Sequence, residues 1–323
     1  VENKAIIDYN GIMKHIEQIR FKITLLVILL TLSGCVFIRP IPKDLTHSQT
    51  WTGTDDYYAI DTEFHLAHSQ YIEEDATVFW VESEMELALL LTVRFDQGEF
   101  LTEYLSEERL DHDKVVSYLI SLFVHDFEYY EGTIEYSENG RLQAVTDTVT
   151  LVVDEDEIDL VEKKIDEWTY VLKKQNLEDV KDVMYLHDQI IKRVRYDDEA
   201  IKNKKRDSDA FSARGVFEDG LAVCNGYSQA YMGLLKEMGI PSLMVSSDAE
   251  DHAWNLVYID HEWKYVDATW DDYDYPIEKP MYDYFLLDRA EFYDHEFDDT
   301  GYMTLSEEEY LSFAEYVFPQ TAN

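Results

Sequence analysis

Gly220-Leu-Ala-Val-Cys224-Asn-Gly-Tyr-Ser-Gln-Ala230, with the run that follows it to Asp267, decides how this chain is read. Tyr227, Ala230, Tyr231, Leu234, Leu235 and Met238 recur three or four apart, which predicts a helix from about Cys224 to Met238 with one apolar face. Gly239 fits the residue just past the end of that helix, and Pro241 follows as a stop. Three strand candidates come next: Leu243–Ser246, Ala253–Ile259 and Trp263–Asp267. Asp260-His261 makes a short connection between the last two, and a fourth strand is expected at Tyr284–Leu287. Helical pattern returns around Asp288–His295 and Ser306–Val317. A cysteine-bearing helix laid on antiparallel strands is an α+β arrangement.

Cys224 opens its helix, where unpaired backbone N–H groups and the dipole favour a thiolate over a thiol. If the last two strands pair around residues 260–261, positions whose numbers add to 521 lie opposite one another. His252 then faces position 269 and Asp267 faces position 254. The two are diagonal neighbours on one face, within side-chain reach. Asp267 can hold one ring nitrogen of His252 and leave the other for Cys224.

The local contexts also carry a resemblance. Residues 220–230 resemble the nucleophile motif of the transglutaminase-like superfamily, His252-Ala-Trp-Asn255 its histidine motif, and Val266-Asp267-Ala-Thr-Trp270-Asp271 its aspartate motif. Tyr282-Asp-Tyr-Phe-Leu-Leu287 resembles the strand that follows in bacterial members. The resemblance covers roughly residues 156–295 and implies a papain-like core, with the cysteine helix on an antiparallel sheet bearing His and Asp. It also implies roles. Cys224 attacks an amide carbonyl and forms a thioester, His252 moves the proton, and Asp267 orients the ring. The backbone N–H of Cys224 contributes to an oxyanion hole, and sequence identifies no second donor. Water as acceptor gives a peptidase or deamidase, and an amine gives a cross-link. The resemblance to bacterial members favours hydrolysis. A non-catalytic surface binding module that keeps the fold is the alternative.

Neighbouring residues have plainer readings. Trp254 and Trp270 are core or cleft wall, and Tyr227 is packed on the helix's apolar face. Asn255 either polarises a neighbour or packs the strand. His187 lies on the apolar stripe of a second helix, 178–195, and reads as a core histidine. Asp271, Asp272 and Asp274 lack the order of a calcium loop and read as solvated acidity. The histidines of residues 55–153, His65, His68, His112 and His125, lack a metal-ligand pattern, and no cofactor is expected.

Upstream, residues 155–175 are amphipathic, with Ile158, Val161, Ile165, Trp168 and Leu172 on one stripe. Residues 55–153 read as a smaller α+β accessory domain of unknown role, ahead of a catalytic domain at 154–323. Within it, Ala76–Val81, Leu89–Phe95 and Val149–Val153 look like strands, and Asp113–His125 like a helix. Asn139-Gly140 marks a hairpin.

The 323-residue chain carries 27 basic and 68 acidic residues, a net charge of −41. That leaves no basic footprint for nucleic acid. It favours basic or amine-bearing substrates only weakly. The N-terminus differs. Lys14, Arg20 and Lys22 precede the apolar run Ile23–Leu32, of signal-peptide length and too short to span a bilayer. Leu32-Ser-Gly-Cys35 resembles a bacterial lipobox, which implies a signal peptide at 1–34 and a lipidated Cys35. A tether at 35–54 would follow. Met13 can serve as the start. The expected setting is extracytoplasmic and membrane-anchored, with a peptide or protein substrate at the cell surface, cell-wall peptide included. With Cys35 lipidated, Cys224 has no disulfide partner in the chain.

Overall fold

The structure, a computed structural model, describes residues 50–51, 60–61, 78–106, 109–138, 141–174, 179–203, 208–272, 281–297, 305–318 and 321. Cys35 and the segments read as signal peptide and tether lie outside these residues, apart from Thr50 and Trp51.

Elements follow in chain order. β1 (Thr50–Trp51) pairs with β2 (Ile60–Asp61), and β3 (Val78–Trp80) precedes α1 (Glu84–Asp96). β4 (Leu101–Ser106), α2 (His112–Leu122), β5 (Glu128–Glu138) and β6 (Arg141–Val152) come next. Then come α3 (Glu155–Thr169), α4 (Asp179–Arg193), β7 (Arg195–Tyr196), α5 (Asp198–Lys202) and β8 (Leu221–Ala222). α6 (Cys224–Glu237), β9 (Ser242–Ser247), β10 (His252–Ile259), β11 (Glu262–Val266) and α7 (Glu307–Val317) follow, and short helical turns lie at Leu172–Lys174, Asp209–Phe211 and Gly215–Asp219. The class is α+β, with the cysteine helix α6 packed on an antiparallel sheet.

That sheet has the order β11-β10-β9. Asn255 pairs with Val266 and Leu256 with Tyr265, the register that the short connection predicted. Asp260 and His261 turn the chain with φ of 51° and 69°, two successive left-handed residues, as a tight two-residue hairpin requires. Strand alternation sends the side chains of β10 into two cores. Trp254 and Leu256 join Leu243, Val245 and Tyr265 in a core shared with α1, α2 and α7. Ala253, Val257 and Ile259 join Met244 and Val266 in a core shared with α3, α4 and α6. Both faces of the sheet are thereby covered, and β10 reads as a nearly continuous buried run. A second sheet of order β3-β4-β6-β5 is built on the hairpin β5–β6 that brackets Asn139-Gly140, whose own placement lies outside the described residues.

α6 ends as its sequence implies, with Gly239 at φ 74° just beyond Met238. Gly226, on its first turn, lies where a Cβ would stand 2.7 Å from the Ser212 carbonyl and 2.8 Å from that of Ala210. Only glycine lets the helix press this closely on the 209–212 turn.

Three expectations change. Leu89–Phe95 is not a strand but the body of α1, where every residue from Glu86 to Val93 is buried. An unbroken apolar run serves a buried helix as well as a buried strand. The deciding signal was Ser83, whose side chain caps Glu86 N. Tyr284–Leu287 forms no strand. It touches β11 through a single bridge, Tyr265–Leu287, because Leu286 turns the backbone at φ 53°. Asp288–His295 is a series of turns rather than a helix. Ser306–Val317 does form its helix, α7, opened by a capping box between Ser306 and Glu309.

Candidate active site

Cys224 is the first residue of α6 and 8% exposed. Val223 precedes it and offers no side-chain cap. The first-turn N–H groups therefore lack both an intrahelical acceptor and a cap from Val223. His252 begins β10 and Asp267 follows β11, so the hairpin register sets both on one face. His252 Nε2 lies 2.6 Å from Asp267 Oδ2, and the Cys224 thiol neighbours the same ring. Cys224, His252 and Asp267 are thus brought together.

The carboxylate is fully buried and fully used. Asp267 Oδ1 accepts from the backbone N–H of Thr269 at 2.8 Å and of Trp270 at 3.1 Å. Oδ2 accepts from His252 and also from His295 Nε2 at 3.0 Å. An ionised carboxylate only accepts, so both rings present N–H at Nε2. The remaining ring nitrogen of His252 is then Nδ1.

Burial of Asp267 would raise its carboxyl, but the charge and hydrogen bond of His252, then those of His295, hold it below the usual carboxylate range. Burial of His252 would lower its ring, but the charge and hydrogen bond of Asp267 and contact with Cys224 hold it above the usual imidazole range. A raised histidine stabilises the fold fully below its unfolded value near 6.5, and that contribution fades as pH rises above it. A depressed carboxyl stabilises above its unfolded value near 3.8, and that contribution fades below it. Thermal unfolding should therefore show a loss of stability above about pH 6.5 that is smaller in His252→Ala. Equal slopes in the two proteins would show that the pair does not couple to folding.

The aromatic readings hold their places. Trp270 stacks on the His252 ring at 5.1 Å and 21°, a cleft wall, and Trp254 is fully buried. Asn255 is committed to packing. Its Nδ2 donates to the Ser228 carbonyl at 3.0 Å and ties β10 to α6. Tyr227 is buried, and its hydroxyl donates to Asp272 Oδ2 at 2.5 Å. Asp271 is no solvated loop residue. It is fully buried, lies 3.0 Å from the buried His187 Nε2, and accepts the Tyr284 backbone N–H. Its interior place was hidden because its partner, His187, is 84 positions away in sequence. Asp274 lies outside the described residues.

His295 was not singled out by sequence. It is 1% exposed, stacks on Phe292 at 3.6 Å between ring centres, and lies 4.1 Å from Trp270. The only signal was a histidine downstream of the aspartate motif, with no spacing rule to raise it. Among the described residues, His252, Asp267 and His295 form one group whose donor atoms lie within 4.8 Å of one another, as a metal site would need. The chemistry of the set argues against an ion. Both Asp267 oxygens already accept two protein donors each, so a cation would have to displace hydrogen bonds of 2.6 and 3.0 Å.

Residues 168–268 match the model of the Transglutaminase-like superfamily, a segment that contains Cys224, His252 and Asp267. Kyphoscoliosis peptidase of Mus musculus is 27% identical over 95 residues, which is 25% of this chain and 14% of that protein. A solved transglutaminase structure is similar at TM-score 0.33 and 14% identity, covering 66% of this chain and 65% of that one. A chain from Cytophaga hutchinsonii, proposed as a cysteine protease, is similar at TM-score 0.27 and 16% identity, covering 45% of this chain and 65% of that one.

Proposed function

We propose that this protein is a thiol enzyme that acts on amide or peptide bonds through a thioester on Cys224. The observation that carries the reading is the grouping of Cys224, His252 and Asp267, with His252 Nε2 held 2.6 Å from the buried carboxylate. With its ring held above the usual imidazole range, His252 keeps at Nδ1 the proton taken from the thiol, and the sulfur attacks the carbonyl carbon. The same ring returns the proton to the departing amine, and an acyl-sulfur bond replaces the amide bond. Asp267 stabilises the imidazolium and fixes its tautomer. The uncapped first turn of α6 receives the developing oxyanion. Water, activated by the same ring, then breaks the thioester and gives hydrolysis.

The superfamily match over residues 168–268 supports the thiol chemistry, and the bacterial pattern of the motifs favours hydrolysis over cross-linking. The sequence at Leu32-Ser-Gly-Cys35 supports a lipid-anchored, extracytoplasmic setting, where the substrate is a surface peptide or protein, cell-wall peptide included. The net charge of −41 supports a protein or peptide partner rather than a nucleic acid. Residues 55–153 are read as an accessory domain to the catalytic one at 154–323.

The test is a glutamine- and lysine-containing peptide library, with and without an added primary amine. Ammonia release, new amino termini and amine incorporation are read separately, with Cys224→Ala as the blank. Hydrolytic product that depends on Cys224 and exceeds amine adduct is expected. Amine adduct in excess would make the protein a cross-linker. No Cys224-dependent product in any channel would favour the binding-module alternative.

A further inference from the structure

His295 presents its Nε2 to the same carboxylate oxygen that His252 uses, at 3.0 Å against 2.6 Å. Its place is built rather than incidental. The ring stacks on Phe292 and lies against Trp270, with Trp254 at 4.9 Å and Tyr284 at 5.4 Å. Its Nδ1 lies 3.3 Å from Asp294 Oδ1, and Asp294 also accepts the Tyr284 hydroxyl at 2.8 Å. Arg289 pins the segment. It donates to the Phe292 carbonyl at 2.6 Å and to that of His295 at 3.4 Å, and it pairs with Glu307 on α7. An exposed loop residue would need none of this support.

We propose that His295 is a positioning residue of the thiol centre: by donating to Asp267 Oδ2 it fixes the orientation and charge of the carboxylate that aims the His252 ring at Cys224. The proposal rests on the Cys224–His252–Asp267 reading and extends it to a fourth side chain. With Oδ1 tied to two backbone N–H groups, Oδ2 is the only oxygen left to hold His252. Without a second donor that oxygen has one partner, and the carboxyl loses one of the contacts that keep it ionised at full burial. The groups facing this centre are His252, Cys224, His295, Asp294 and Tyr284, and the charges of Cys224, Asp198, Asp251 and Asp267 all act on Tyr196.

Gln and Met have nearly the same volume, and only Gln carries a donor near the position of Nε2. The test compares His295→Gln, His295→Met and His252→Ala with wild type in the full chain. Iodoacetamide modification of Cys224 is read by peptide mass spectrometry across pH, so that Cys35 does not contribute. His295→Met should slow Cys224 modification about tenfold, the lower range for removing a residue that orients a functional group. The acid limb of its profile should move to higher pH, because Asp267 then takes up a proton more readily. His295→Gln should keep most of the wild-type rate and profile. Equal behaviour of Gln and Met variants, fast or slow, overturns the proposal. If His252→Ala also matches wild type, the triad itself fails. If only that variant slows, His295 alone is dismissed. In the unmodified protein, long-range ¹⁵N–¹H correlation should place the His295 proton at Nε2 near neutral pH, and a proton at Nδ1 alone would overturn the proposal without any mutation.

Discussion

Asp267→Ala should lower the unfolding free energy by about 3–5 kcal/mol, the usual cost of removing one partner from a buried charged pair. The effect is large because the side chain is 0% exposed and serves four donors from three parts of the chain. Deleting it leaves the Nε2 groups of His252 and His295 and the N–H groups of Thr269 and Trp270 facing a cavity. Each buried orphan costs roughly 1–3 kcal/mol, less where a ring sheds its charge or water enters. Asp267→Asn tests the same point more finely. It keeps the volume, but with its oxygen held by the two backbone N–H groups its amide nitrogen stands where Oδ2 was, and so forces both rings into the wrong tautomer. Urea unfolding at pH 7 measures both variants. A loss under about 1 kcal/mol for Asp267→Ala would mean that the carboxylate is not the buried hub described above.

Much of this centre was readable in the sequence because its determinants are local. Asp260-His261 between two apolar runs fixes a two-residue connection, and a fixed connection fixes the register. From that register Asp267 and His252 fall on one face. Cys224 was readable because the stripe from Tyr227 to Met238 sets the start of α6. His295 and the His187–Asp271 pair were not readable. Each depends on a partner in irregular backbone far away in sequence, His295 in one case and Asp271 in the other, where no period or spacing applies. The misreading of Leu89–Phe95 has another cause. A helix buried all round loses the polar face that marks its period, and only the cap at Ser83 betrays it.

The same reasoning explains why the first region resisted interpretation. α1 and α2 bury their faces in the core that also holds Trp254, Leu256 and Tyr265 from the sheet of the site. Their sequence is written by that packing, and packing residues do not announce chemistry.

The central claim is that His252 activates Cys224, and alkylation of Cys224 tests it most directly. Wild type and His252→Ala, as full chains, are treated with iodoacetamide between pH 5 and pH 9, and modification of Cys224 is followed by peptide mass spectrometry. A positioned base typically contributes 10²–10⁴-fold, so the account predicts that the mutant reacts roughly a hundredfold more slowly near pH 6. The two rates should converge at high pH, where any cysteine ionises unaided. Two superimposable profiles would contradict the account, because a thiol indifferent to His252 is not the nucleophile of a Cys–His–Asp centre.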